Sequence, residues 1–475
     1  MAKTVAAHTL GCKVNQQETE AVLEFFRLQG YSVRDFAETA DVYLINTCTV
    51  THLGDRKSRQ MIRRARRQNP YALVVVMGCY AQRAPGEIME IPGVDLIVGN
   101  QDRAQILPKL TDLLAAQGER GKPISLVQDI GTARTFEELP LNLERNRIRA
   151  QVKVQDGCNQ FCTYCIVPYT RGRVRSRPAE RVVDEVSQLV AAGFKEIVLT
   201  GIHTSAYGLE WRDEKGHPNL ADLVQIILER VPGLLRLRIS SLEPTEIPEA
   251  LPEIMAKSPF FCRHLHIPLQ SGDDQILRDM HRPYSAGQYL ALIERLRKEI
   301  SGLAITTDVM VGFPGETEAH FQRSYDFIRE VGFSDLHVFK YSPRTGTPAA
   351  AFKEQVPAKA KESRSQRLLA LTSELKLRFA ASFAGKTLTV LLEEESEVPN
   401  PEAGILDGLE RGKLSGAAIR CWMGYTDNYL RVAIPAAGSL SPSHEPLSAG
   451  SLIPVILQPA SPEFSWGRLT ESTDI

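Results

Sequence analysis

Three cysteines fall within eight residues in the run Cys158-Asn159-Gln160-Phe161-Cys162-Thr163-Tyr164-Cys165. Thiolates are soft ligands, so a set this dense selects zinc, copper(I) or an iron–sulfur cluster. Structural zinc wants four closed ligands, and no fourth Cys or His follows at the usual spacing. A zinc loop therefore needs a distant partner such as His203 or Cys262. On a four-iron cluster, which has four ligand positions, three thiolates leave one iron open to a ligand from outside the protein.

A different logic connects Cys12, Cys48 and Cys79. Each ends a short apolar run, at intervals of 36 and 31 residues, about one strand-and-helix unit apiece. In an open parallel sheet the strand C-termini share one edge, where ligands bind, so the three thiols should converge on a second open site. Cys262 and Cys421 have no such company and read as packing residues. No acid, base or nucleophile stands out beyond the cysteine ligands.

The chain must supply elements that hold these residues. Its 475 residues suggest about three domains. A composition of 43% hydrophobic and 24% charged residues excludes a disordered or fibrous chain. Eight cysteines are too sparse for a disulfide scaffold. No apolar stretch is long enough to span a bilayer, and no signal peptide is evident, so a cytoplasmic protein without a membrane partner is expected.

The pattern is α/β. Residues 1–135 alternate apolar runs (Val5–Leu10, Val42–Asn46, Leu73–Met77, Asp95–Val98) with amphipathic helices, which predicts an open, mostly parallel sheet. Asn15 is placed to cap the first helix with Glu18 completing a capping box, and Gly30 to end it. Residues 119–146 read as a linker. Over 144–380, six further runs (Gln151–Gln155, Glu196–Thr200, Leu235–Ser240, His264–Leu269, Ile305–Val311, Asp335–Tyr341) predict a partial (β/α)6 barrel with its site at the strand C-terminal ends. A basic helix over Ala358–Phe383 closes this block. Over 384–460, short runs at Thr387–Leu392, Tyr429–Ile434 and Leu452–Leu457 predict a small all-β barrel or sandwich.

Several of these residues together resemble one family. His8-Thr9-Leu10-Gly11-Cys12-Lys13-Val14-Asn15-Gln16, Asn46-Thr47-Cys48, Gly78-Cys79, the 158–165 run, Arg171-Gly172-Arg173 and Arg175-Ser176-Arg177-Pro178 are similar to the methylthiotransferases, which are radical S-adenosylmethionine enzymes. The resemblance covers essentially the whole chain: a methylthiotransferase N-terminal domain, a radical-SAM partial barrel, and a C-terminal TRAM domain suggested by Gly424-Tyr425-Thr426-Asp427-Asn428-Tyr429. The wording around Cys12 looks most like the branch acting on N6-threonylcarbamoyladenosine at tRNA position 37. Isopentenyladenosine-37, ribosomal protein S12 and a non-catalytic, metal-stabilised RNA-binding protein are the alternatives.

The resemblance implies two [4Fe-4S] clusters, one on Cys158, Cys162 and Cys165 that binds S-adenosylmethionine, the other on Cys12, Cys48 and Cys79. One S-adenosylmethionine would give the methyl group and another the radical that removes hydrogen from C2 of the adenine. Tyr164 would pack on the cofactor's adenine, and Gly201, Ser240, Glu243 and Gly312, at strand ends, are candidate cofactor contacts. The chain departs from the family's common Gly-Gly-Glu motif, having Gly201-Ile202-His203-Thr204 instead. An electron donor such as a flavodoxin-type reductase system is implied as a partner.

For tRNA, residues 56–67 place seven cations on one short helix. Arg56, Lys57, Arg63, Arg64 and Arg67 there, with Arg171 and Arg173 beyond the second cysteine set, are candidate phosphate contacts; Arg175 and Arg177 add charge nearby. From Gly385 onward, by contrast, 6 Lys or Arg face 12 Asp or Glu. RNA contacts from that domain would rest on a few residues such as Arg420, Tyr425, Asn428 and Arg431.

Overall fold

The computed structural model describes residues 3–115, 121–144, 148–211, 216–399, 418–436, 446–459 and 461–470. The N-terminal sheet is wholly parallel, in the order Ser32–Arg34, Thr4–Thr9, Val42–Thr47, Leu73–Gly78, Leu96–Val98, Ile124–Ser125. Its two central strands are buried along their whole length between apolar clusters on both faces, which is why they read as unbroken apolar runs. The two outermost strands have too few residues to show periodicity and were not expected.

The first helix starts earlier than the capping box implied. It spans Lys13–Leu28 with Cys12 at the N-cap, so Asn15 and Glu18 lie one turn apart inside it, both buried. Gly30 follows its end in the left-handed region, as expected.

The middle block has six parallel strands. Arg149–Lys153, Glu196–Thr200 and Arg236–Ile239 form one sheet, and His264–His266, Ala304–Val311 and Asp335–Lys340 another. Bridges at Leu237–Phe261 and Ser241–His266 join the two into a curved partial barrel. Strand side chains alternate. Val152, Leu199, Leu237, Leu265, Ile305 and Leu336 pack under the helices in one core, while Gln151, Arg238, His264, Thr306, Asp308 and His337 occupy the opposite positions. A filled (β/α)8 barrel packs its inside with branched apolar residues; this one has a polar interior.

The C-terminal strands Thr387–Val398, Ile419–Thr426, Arg431–Pro435, Leu452–Pro459 and Ser465–Leu469 form a closed barrel. Its last strand carries the domain beyond the expected limit of residue 460. The loop after Ile419–Thr426 docks at the N-terminal ends of the middle strands: Arg236 donates to the Tyr425 carbonyl and Arg238 to that of Asp427, each at 3.0 Å. Arg263 pairs with Asp427 at 2.6 Å, and Tyr429 stacks on His264 at 4.6 Å. Asn428, 1% exposed, therefore serves this joint and does not face outward for RNA, whereas Tyr425 gives the joint its backbone carbonyl and stays half-buried beneath Arg149.

The N-terminal domain is locked to the middle block by buried charge. Glu18, with no exposed surface, accepts from Lys153 Nζ at 2.7 Å and Arg171 at 2.8 and 3.0 Å, and pairs with Arg103 at 3.0 Å. Asp156 accepts from Lys153 and Arg171 on the other side, and Asn15 Oδ1 from Arg171 at 2.7 Å. The expected linker is part of this joint: Glu137 pairs with Arg103 and Glu138 with Arg177. Burial opposes ionisation of Glu18, but Arg103, Arg171 and Lys153 outweigh it and hold the carboxyl well below the usual range.

Glu18→Ala is expected to lower the unfolding free energy by about 3–5 kcal/mol, because it strands buried cations. Its carboxyl has an unfolded pKa of about 4.3 and a lower folded one, so its contribution is complete above that pH and is lost as the pH falls below it. Urea unfolding curves of the two proteins should differ at pH 7 and converge in acid; equal stability at pH 7 would refute the role.

Candidate active site

Cys12, Cys48 and Cys79 come to one edge of the N-terminal sheet, just past three adjacent strand ends. Gly11 permits the approach: at its φ of +107° an added Cβ would meet Cys48 Cβ at 3.1 Å and Sγ at 3.3 Å. Cys12 is exposed, Cys48 half-buried and Cys79 buried. Asn100 donates to Cys79 Sγ at 3.5 Å and to the Thr170 carbonyl at 2.8 Å, which ties this edge to the segment following Cys165. Burial, then the neighbouring Cys79, pushes the Cys48 thiol up to about 11. Such a thiol is protonated at neutral pH unless a metal displaces the proton.

The second set lies on a loop after the first barrel strand. Gly157 lets the loop pass under Arg173, whose carbonyl an added Cβ would meet at 1.9 Å. Cys158 N donates to the Gly172 carbonyl at 3.0 Å, and Phe161 turns the chain in the left-handed region. Two buried side chains reach the sulfurs. Arg282 donates to Cys162 Sγ at 3.2 Å and to the Tyr284 hydroxyl at 3.1 Å, and pairs with Glu243. His203 Nδ1 lies 3.4 Å from Cys158 Sγ, and its Nε2 lies 2.9 Å from Glu246. Burial opposes its charge, but Cys158 and Glu246 raise its pKa to about 10.

The spacing of the donors tests what they could hold. A single tetrahedral zinc with bonds of about 2.3 Å keeps its sulfurs roughly 3.8 Å apart. Among the described residues, however, the only three His, Cys, Asp or Glu groups with ligand atoms within 4.8 Å of one another are His266, Asp308 and His337. Neither cysteine set is drawn in around one ion, which fits a larger polynuclear group. Cys262 is buried beside Arg238 at the opposite end of the strands, so it is no fourth ligand.

The other expected residues divide. Ser240 bonds Thr204 at 3.1 Å, and Glu243 meets Arg282, both beside the second set. Gly201 is needed because Gln155 Oε1 would lie 3.0 Å from a Cβ there. Tyr164 packs with Ile276, Met280, Phe313 and Tyr341. Gly312 is a turn residue: its φ is +73°, and a Cβ would meet Lys361 Cγ at 2.3 Å. Of the cations, Arg56, Lys57, Arg63, Arg64, Arg67 and Arg173 are exposed. Arg171 is not; at 1% exposure it belongs to the Glu18 network, and Arg175 and Arg177 are buried too. An exposed phosphate-binding role for these three is corrected, since their charge is already matched inside.

Arg282 and the polar barrel interior went unremarked in the sequence. There, Lys13, Arg149, Gln151, Arg238, Glu393 and Tyr429 line a cavity of about 330 Å³. Farther along the same face Asp308 accepts from His266 and His337 at 3.2 and 3.1 Å. The signal was available: Arg236-Leu237-Arg238-Ile239, His264-Leu265-His266-Ile267 and Asp335-Leu336-His337-Val338 alternate polar with apolar, unlike strands buried on both faces.

Arg282 places positive charge on a sulfur ligand and so favours the more reduced, more negative state of a bound cluster. Arg282→Met is expected to retain iron but lower the cluster's potential by on the order of 60 mV, a tenfold shift in a one-electron equilibrium. An EPR-monitored redox titration reads this directly, and an unchanged or higher potential would count against it.

Residues 152–328 match the radical SAM superfamily, and residues 4–99 match the uncharacterized protein family UPF0004. The chain is 47% identical to threonylcarbamoyladenosine tRNA methylthiotransferase MtaB of Bacillus subtilis over 90% of each chain. It is 37% identical to tRNA-2-methylthio-N(6)-dimethylallyladenosine synthase of Carboxydothermus hydrogenoformans, over 82% of this chain and 88% of that one. The fold is shared with the radical S-adenosylmethionine methyltransferase TsrM of Kitasatospora setae, at a TM-score of 0.54 and 17% identity, over 74% of this chain and 77% of that one. With a radical-SAM domain go S-adenosylmethionine and a [4Fe-4S] cluster, and the Cys158, Cys162 and Cys165 set fits that cluster. The chain belongs to the radical-SAM tRNA methylthiotransferases.

Proposed function

We propose that this enzyme methylthiolates C2 of N6-threonylcarbamoyladenosine at position 37 of tRNA. The observation that carries the reading is the convergence of two open three-cysteine sets in a chain 47% identical, over nine-tenths of its length, to an enzyme named for that substrate. When bound, S-adenosylmethionine and its cluster supply a radical able to remove hydrogen from an unactivated aromatic carbon, and a second cluster supplies the sulfur.

The protein's own residues position and shield. Arg282 and His203 hold Cys162 and Cys158, and Glu243 and Glu246 orient those two side chains in turn. Cys12, Cys48 and Cys79 hold the second cluster, and the Glu18 network fixes the distance between the sets. The cations Arg56, Lys57, Arg63, Arg64 and Arg67 lie on the helix His52–Gln68, which begins four residues after Cys48, and grip tRNA phosphates. Phe161 and Tyr169, exposed and edge-to-face at 5.6 Å, offer aromatic faces to loop bases. A flavodoxin-type reductase system delivers the electron.

Anaerobic reconstitution should give about eight irons per chain, four per cluster, and about four in Cys48→Ala, which should also fail to form the methylthio product. Mass spectrometry of nucleosides from tRNA carrying either modified adenosine tests the substrate; product on dimethylallyladenosine alone would refute the assignment. Charge reversal at Arg63 and Arg64 should weaken tRNA binding and flatten its log–log salt dependence by about 0.7–0.9 per lost phosphate contact. An unaltered slope would remove that helix from the interface.

A further inference from the structure

Lys13 directly follows Cys12 and opens the helix Lys13–Leu28. Among the described residues it has no hydrogen bond or ion pair, yet it lines the 330 Å³ cavity inside the barrel. The other cations of that cavity are matched: Arg149 by Glu393 at 2.7 Å and Arg238 by Glu196 at 2.7 Å. Asp308 is engaged by His266 and His337. The charge of Lys13 bears on buried His264 and on His337, so it acts toward the barrel interior.

The substrate's chemistry makes that cation informative. In adenine, N1 is bonded both to C2 and to C6, the carbon that carries N6, so a substituent on N6 lies within a few ångströms, about one residue's reach, of the carbon that receives sulfur. A threonylcarbamoyl group ends in a carboxylate, whereas a dimethylallyl group is neutral and apolar. The cavity walled by Lys13, Arg149, Gln151, Arg238, Glu393 and Glu394 is polar, with Lys13 its unpaired cation among the described residues; it suits the former and would leave polar groups stranded against the latter.

We propose that Lys13 is the specificity residue of the site, its ammonium pairing with the carboxylate of the threonylcarbamoyl group. This rests on the substrate reading above. A charge-assisted bond of this kind corresponds to roughly 10- to 100-fold in affinity.

The test uses the full-length reconstituted enzyme, as wild type, Lys13→Met and Lys13→Arg. Each is assayed with a tRNA carrying threonylcarbamoyladenosine-37 and with the same tRNA carrying unmodified adenosine. Affinity by fluorescence anisotropy, iron per chain and methylthio product are measured together. Wild type should prefer the modified tRNA by roughly 10- to 100-fold, Lys13→Met should lose that preference with its iron intact, and Lys13→Arg should keep most of it. A Lys13→Met protein that still prefers the modified tRNA overturns the proposal. So does equal weakening on both tRNAs, which would make Lys13 a phosphate contact, or loss of iron, which would make it part of the cluster site. Should wild type methylthiolate only another adenosine, the substrate reading falls first and Lys13 loses its assignment with it.

Discussion

The molecule depends on one buried electrostatic contact, between Glu18 of the first helix and Arg171 just beyond the second cysteine set. Two cysteine sets on separate domains are useful together only if their separation is fixed. Packing of apolar faces alone would leave such an interface free to slide. A carboxylate with no solvent exposure, bonded to a guanidinium, an ammonium and a second guanidinium, has one satisfactory geometry, because any displacement leaves charge unpaired in a low-dielectric interior. Asn15 extends this precision: it accepts from Arg171 and donates to the carbonyls of Leu10 and Thr47, the residues two before Cys12 and one before Cys48. Arg344 adds a second fastening through Thr49 and Asp55, beside Cys48.

Much of this was legible in the sequence. Strands buried on both faces betray themselves as apolar runs, so the central N-terminal strands were found within a residue or two, and with them the edge to which Cys12, Cys48 and Cys79 come; the barrel strands, apolar on one face only, were found too, though His264–Leu269 was read three residues too long. The same local reading failed where a residue's role is set by a distant partner. Asn15 and Glu18 have capping-box spacing and a helix begins beside them, yet their side chains point across a domain boundary. Arg171 looks like one of a surface run of arginines until Glu18, 153 residues away in the chain, is brought alongside it. Charge in a sequence carries no label for inside or outside; only the fold supplies the countercharge.

The functional site divides along the same line. The two cysteine sets were legible because soft donors at telling intervals have few other uses. Arg282 was not, since nothing near it in sequence hints that it reaches a sulfur 120 residues earlier. The segment read as a linker failed for a related reason: weak periodicity marks the absence of a helix or strand, and a strap that docks through Glu137 and Glu138 needs neither.

The joint between the C-terminal barrel and the middle block has a consequence for the lifetime of a reactive species. Tyr429, in the left-handed region and sandwiched between His264 and the guanidinium of Arg238, stoppers the end of the strands opposite the cysteines. A carbon radical reacts with the first weak bond it can reach, so side chains that narrow the chamber from below reduce the number of stray partners. A domain of acidic composition can thus bear on yield through its place in the fold: it forms the floor of a reaction vessel, and a nucleotide inserted from the cysteine side becomes its cover.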